Sequence, residues 1–401
     1  MLKKGEEDLI TRVDTCAVCG NNNLDEVIEL PNLPLTALFS SVLPDQQPRG
    51  YNQTLLFCQK CGHAQLGYQI SSKILYDNKY GFRTSISTTA RAGTQFFLDS
   101  LHDFVGAQHF QCVIDWGCND LYLLKQLEHL SEERVGIDPI WNGRESENTE
   151  VGIKVIGNLI EEIDLEKVLE KPPDLILCRH TIEHISDPKS VLRKLIQFAA
   201  PNAIFIFETP NFDTLIDRGR FDQIFHQHLQ YFSLRSFHYL FHELGVEFLG
   251  FKENYHDWGA LLVVFRKSTP QISQPIQVKY DICLMKTYYK IFQEGLISFR
   301  RLVDASKYRR QIFGYGAAEM LPVLAYHLET DLSFLTAILD DNSARDGWYY
   351  QNLPTPIWFA DRVDDLSDSS VMLTAIDNAV PILLKLFQRR PKQILLPINI
   401  I

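Results

Sequence analysis

The stretch Cys112-Val-Ile-Asp115-Trp-Gly117-Cys-Asn119-Asp120 decides the fold. It reads as an apolar strand ending in an acid, a glycine and a polar turn. A glycine just past a first strand lets a ligand approach the backbone at the strand's carboxyl end, where open α/β sheets bind ligands. Further on, Arg134-Val-Gly-Ile-Asp138 is a second strand with an acid at its end, placed to accept both hydroxyls of a ribose. Gly117 alone carries little weight, since any tight turn after a strand favours glycine. The ordered pair of Asp115-x-Gly117 and Asp138 points to a nucleoside-bearing ligand.

Outward from this segment, residues 76–268 alternate apolar strand-like runs with helical patterns, the sign of a parallel α/β sheet. The polar, proline-bearing stretch Lys267-Ser-Thr-Pro-Gln-Ile-Ser-Gln-Pro275 closes the block and reads as a linker. Residues 276–401 then hold a helical run, roughly 276–307, with Ile282, Met285, Tyr289, Phe292 and Leu296 at helical spacing. A second α/β block follows from Gln311. Its opening, Gly314-Tyr-Gly316-Ala-Ala-Glu319, suggests free amides and an anion site, although Glu319 stands where a dinucleotide loop carries its third glycine.

Residues 1–75 form a separate module. Cys16-Ala-Val-Cys19-Gly20 and Cys58-Gln-Lys-Cys61-Gly62 are two tight knuckles. Two residues between cysteines let both thiolates reach one ion, and the glycine lets the backbone turn beneath the sulfurs. Together Cys16, Cys19, Cys58 and Cys61 supply the four ligands of a structural zinc site, Zn2+. The competing readings are a redox pair or unpaired core thiols. Cys112, Cys118, Cys178 and Cys283 sit in apolar, strand-like contexts and read as buried core thiols.

Composition narrows the function. A chain of 401 residues exceeds one ordinary core, and 25 Phe, 16 Tyr and 5 Trp require burial, which excludes global disorder. No window approaches ~18 uninterrupted apolar residues, so no membrane-spanning helix is expected. The start, MLKKGEEDLI, has no apolar signal region, so the protein is expected to be cytoplasmic. A net charge of −11 argues against nonspecific binding to nucleic acid, whose phosphates need a basic face. An anionic small molecule stays open as a ligand.

The segment Pro173-Asp-Leu-Ile-Leu-Cys-Arg-His180-Thr-Ile-Glu183-His184-Ile-Ser-Asp-Pro188 is a strand, a loop and a proline turn. His180-x3-His184 lacks the helix of a zincin. At this point the chain resembles the class I S-adenosylmethionine-dependent methyltransferases, whose fourth strand commonly ends in such a Glu-His-Ile-x-Asp-Pro. The resemblance implies that Asp115, Gly117, Asn119 and Asp120 line the methionine part of S-adenosyl-L-methionine. Asp138 would hold the ribose, Asn158 would lie near the adenine, and His180 would border the cofactor. Leu121 departs from the pattern, standing where another glycine is common, and is expected to crowd the loop.

Further on, Phe221-Asp222-Gln-Ile-Phe225-His226-Gln227-His228-Leu-Gln-Tyr231-Phe232-Ser233 is similar to the sugar C-methyltransferases, which methylate keto-sugar nucleotides. That family implies a paired-knuckle zinc domain, a central class I methyltransferase Rossmann-like sheet and a C-terminal Rossmann-like α/β domain that helps bind the sugar nucleotide. It also implies His228 as the base that makes an enolate, with His226, Gln227 and a loosely matched Tyr80 beside it. The chemistry is sound, because histidine is the natural base near neutral pH and an enolate oxygen needs a donor. Gln227 replaces the family's glutamate and Phe225 its tyrosine. Methylation of oxygen or nitrogen, or a non-catalytic scaffold, are the rival readings. No third ligand is expected near His226 or His228 to make a metal site there.

Overall fold

Strands such as Ile204–Thr209 and Ala260–Arg266 are almost unbroken apolar runs and are buried on both faces, so each must be covered on two sides. The computed structural model describes residues 9–45, 48–75, 83–131, 133–255, 259–268 and 279–398. Its largest sheet has seven strands in the order 247–254, 260–266, 204–209, 175–179, 113–116, 134–137 and 153–156. Only Ala260–Arg266 runs antiparallel to its neighbours. Strand Val113–Trp116 thus lies between the second and fourth strands, and its carboxyl end is the topological switch point.

Aromatic rings lock one face of this sheet. Phe265 packs on Phe205 at 4.7 Å and on Phe241 at 4.3 Å between centroids. Burial of each such ring contributes roughly 1.5–3 kcal/mol. Helix Leu234–Leu244, which brings Phe237 and Phe241 to this face, starts at a Ser233 capping box and stops at Gly245 in the left-handed region.

The zinc module is a four-stranded antiparallel sheet of 25–33, 51–58, 63–66 and, from far along the chain, Gln230–Tyr231. The C-terminal part is a five-stranded parallel sheet in the order 357–359, 338–340, 312–315, 370–373, 393–395. Helix Ile282–Lys307, capped by Asp281, precedes it, with Met285, Phe292, Leu296, Phe299 and Val303 buried. Arg220 ties the middle to the C-terminal part: it donates two hydrogen bonds of 2.9 Å to Asp222 and one of 2.7 Å to Asp377.

Three expectations are corrected. Cys283 lies exposed on the long helix, and Cys118 sits in a loop, though it is buried as are Cys112 and Cys178. The amides after Ile312–Tyr315 do not form an open anion site, because Asp340 Oδ2 accepts the Ala317 N–H at 2.6 Å and Leu339 O accepts that of Gly316. A carboxylate therefore takes one of these amides, and the helix beyond, Leu321–His327, spans seven residues.

Candidate active site

The loop after the first strand is built around Gly117. Its φ is +83°, and a Cβ there would lie 1.9 Å from Thr181 Oγ1, so only glycine fits. Asn119 follows at φ +46°, its N–H donating to Asp138 Oδ2 at 2.9 Å and its carbonyl accepting Trp141 Nε1–H at 2.7 Å. Asp138 Oδ1 accepts the Ile140 amide at 3.0 Å. Burial raises the Asp138 pKa above the ordinary carboxylate value, opposed by these two amides. Asp120 Oδ2 accepts the Ser85 amide, while its Oδ1 is buried without a partner among the described residues. Asp115 is buried, and burial pushes its pKa up to about 7 against the pull of Arg179.

Leu121 does not crowd this loop. It takes the left-handed conformation a glycine would take (φ +66°) and turns its side chain into the core. There Cδ2 lies 3.1 Å from where a Cβ on Gly136 would be. The backbone cost, roughly 1–3 kcal/mol, is offset by burying a leucine. Asn158 follows the next strand out, Ile153–Ile156, and its Oδ1 accepts the Leu159 amide at 2.8 Å.

Across the loop from Gly117, the fourth strand ends at Arg179 and the chain turns sharply at His180 (φ +47°). His180 lies beside two buried carboxylates, 3.5 Å from Glu183 Oε1 and 4.0 Å from Glu208 Oε2. Burial works against charge on Glu183; the surrounding His180, His184 and His228 work for it, and the balance lies at about 2. Thr209 Oγ1 donates to Glu183 Oε2 at 3.1 Å, and Oε1 has no hydrogen-bond partner among the described residues. Arg179 donates to Glu208 Oε2 and Thr94, and Asn254 donates to Glu208 Oε1.

His228 comes to this place from the segment after the fifth strand. Its ring lies 4.9 Å from that of His184 and 4.1 Å from that of Phe225. His184 Nδ1 is 2.8 Å from the Gln227 carbonyl, which can only accept, so Nδ1 carries a proton and, in the neutral ring, Nε2 holds the lone pair. Burial pushes the His228 pKa down to about 3, which leaves its ring neutral and weakly basic. One donor atom each from Glu183, His184 and His228 lie within 4.8 Å of one another. The expectation that no third ligand lies near His228 is therefore overturned: Glu183 and His184 reach it through the fold.

His226 and Gln227 face the zinc module instead. His226 is buried, its Nε2 3.0 Å from Leu33 O and its Nδ1 3.4 Å from Gln53 Nε2. Both ring nitrogens are engaged, so this histidine anchors one domain to the other. Gln227 Oε1 accepts the Thr36 hydroxyl at 3.0 Å. Tyr80 lies outside the described residues. Burial lowers the His226 pKa to about 4, opposed by the bond to Leu33. Between about pH 6.5 and 4 the unfolded chain binds the proton that the folded one refuses, so stability falls with pH. Denaturant midpoints should show acidification from pH 7 to 5 costing about 2 kcal/mol through this residue. His226→Gln should lack that part of the loss; an unchanged pH slope would argue against it.

Cys16, Cys19, Cys58 and Cys61 converge with all four sulfurs within 4.8 Å, and the Cys16–Cys61 and Cys19–Cys58 pairs are 3.5 Å apart. A tetrahedron of ~2.3 Å Zn–S bonds has edges of about 3.8 Å, so the set fits zinc with small adjustments. Gly20 and Gly62, at φ +68° and +74°, return their amides to the carbonyls of Cys16 and Cys58.

Residues 86–249 match the family model described as "Methyltransferase domain", and residues 16–76 match the one described as "Putative zinc binding domain". The chain is 26% identical over 250 residues to the C-methyltransferase NovU of Streptomyces niveus, across 60% of this chain and 57% of that one. It is 30% identical over 120 residues to the ubiquinone biosynthesis O-methyltransferase of Colwellia psychrerythraea, across 28% of this chain and 46% of that one. The chain thus spans about half the length of these curated relatives. Among solved structures, N-methyltransferase NodS from Bradyrhizobium japonicum WM9, in complex with S-adenosyl-L-homocysteine, aligns with a TM-score of 0.36 at 14% identity. That alignment covers 49% of this chain and 94% of NodS.

Proposed function

We propose that this chain, which carries a methyltransferase domain behind a zinc-binding domain, transfers a methyl group from S-adenosylmethionine to a nucleotide-linked keto-sugar, at carbon. The observation that carries the reading is the Gly117 loop, which has no room for a Cβ and closes onto Asp138 at the switch point. Asp138 holds the ribose: its two amide bonds leave carboxylate lone pairs for two hydroxyls. The unpartnered Asp120 Oδ1 suits the ammonium of the methionine part. When bound, the cofactor supplies an electrophilic methyl group.

The pocket wall of Glu183, His184 and His228 activates the acceptor as a unit. His184 is held by the Gln227 carbonyl, and Gln227 is held by Thr36 of the zinc module, so the small domain helps set the geometry of the site. Phe225, packed on His228, has no hydroxyl to offer an enolate oxygen. That absence favours, as the second reading, transfer to a hydroxyl oxygen of a related sugar.

Calorimetric titration with S-adenosylhomocysteine tests the cofactor assignment. Asp138→Ala should weaken binding about 100-fold, the loss of two hydrogen bonds to a charged group. No binding by the unaltered chain would leave the scaffold reading in first place, and binding indifferent to Asp138 would move the ribose elsewhere. Keto-sugar nucleotides offered with methyl-labelled cofactor then test the acceptor class, and the labelled atom separates carbon from oxygen.

A further inference from the structure

We infer that Glu183, His184 and His228 form a second metal site, one that takes a divalent transition-metal ion at the acceptor end of the cofactor pocket. Two histidines and one carboxylate are the donor set of open catalytic sites, which bind an ion with three protein ligands and leave a position for substrate. Their donor atoms already lie within 4.8 Å of one another, though they arrive from two separate segments. The cysteine cluster supplies only sulfur and stands apart from this set.

Three details go beyond proximity. Glu183 is 1% exposed, yet Oε1 has no hydrogen bond among the described residues, the nearest ring nitrogen being His180 Nδ1 at 3.5 Å. A buried carboxylate whose charge is met only by histidine rings, His180 nearest at 3.5 Å, can take a cation in their place. His184 donates its Nδ1–H to a backbone carbonyl, the outer contact that fixes the tautomer and ring plane of metal-binding histidines. Glu183 is likewise held, its Oε2 accepting the Thr209 hydroxyl at 3.1 Å. Two of the three side chains thus have an outer contact in place, and His228 is packed between the rings of His184 and Phe225.

The Gly117 loop abuts Thr181, two residues before Glu183, so an ion here borders the site assigned to the cofactor. Its role rests on the methyl-transfer reading. It would bond an oxygen of the acceptor and draw charge from it, the task that Phe225 cannot perform. The three side chains would then act through the ion.

The test uses the full chain with zinc on its cysteines and Co2+ as the probe, since cobalt ranks below zinc and does not displace it from thiolates. Equilibrium dialysis followed by metal analysis should find one Co2+ per chain beyond the zinc. Glu183→Gln and His184→Ala should each weaken it by more than about 100-fold, and Thr209→Val, which removes only an outer contact, by about 10–100-fold. Titration with S-adenosylhomocysteine in the same samples reports whether each variant is folded and tests the cofactor pocket separately. No cobalt beyond the zinc, or cobalt binding unchanged in all three variants, would overturn the site even where the cofactor still binds.

Discussion

Cys58→Ser is expected to strip the purified chain of its zinc and to unfold the N-terminal module. Cys58 is fully buried, its Sγ 3.5 Å from Cys19 Sγ and from Asn21 Nδ2. A hydroxyl is a poor zinc ligand, and structural zinc contributes about 10–16 kcal/mol of apparent binding energy to small domains. The module's antiparallel sheet takes its last strand from residues 230–231, and its Leu33, Leu55 and Phe57 are buried in a cluster shared with residues 212–231, so loss of the zinc should loosen the knuckles first. The damage should spread: Thr36, Leu33 and Gln53, which hold Gln227 and His226, all belong to this module. Elemental analysis and thermal unfolding under reducing conditions read the result. A full zinc per chain with an unchanged melting temperature would reject the four-cysteine site.

Arg220→Ala should cost about 3–5 kcal/mol of stability. Arg220 is 4% exposed and Asp222 2%, and the two share a bidentate pair of 2.9 Å bonds. Removing the guanidinium leaves the Asp222 carboxylate buried and unpaired, which is far worse than never having had the pair. Asp377, on the C-terminal side, is partly exposed and can be hydrated, so its share is smaller. The paired replacement Arg220→Met with Asp222→Leu removes both charges and should recover much of the loss. Chemical denaturation measures both. A loss below about 1 kcal/mol in the single variant, the range of exposed pairs, would show that the pair is solvated in solution.

The strands themselves were readable because each carries its own local signature. Val113–Trp116 and Arg134–Ile137 are short apolar runs that each end in a residue special to the site, Gly117 or Asp138. The cysteine knuckles were readable for the same reason: two residues between ligands fix their geometry whatever the rest of the chain does. Leu121 was misjudged because a sequence shows the size of a side chain and not its direction. A left-handed leucine can turn inward, and here it does. The glycines at 314 and 316 promised an anion site, but their amides go to the carbonyls of Ala337 and Leu339, and the Ala317 amide goes to Asp340 at the end of the neighbouring strand.

The cluster of Glu183, His184 and His228 shows the same division. Glu183-His184 stands in plain view, yet its meaning depends on His228, 44 positions beyond His184 and brought to it by the return of the chain past the fifth strand. His226, one residue from Gln227, looked as functional as His228. A turn at 226–227, closed by the His228 N–H on Phe225 O, sends His226 and Gln227 toward the zinc module and leaves His228 beside His184. Sequence alone determined the architecture, the zinc ligands and the glycine turn after the first strand, because these rest on contacts between near neighbours and on backbone conformations only certain residues adopt. Tertiary structure alone decided which histidine meets the carboxylate, which amides stay open and how the zinc module props the site. Those depend on contacts between residues far apart in the chain, and no local pattern encodes them.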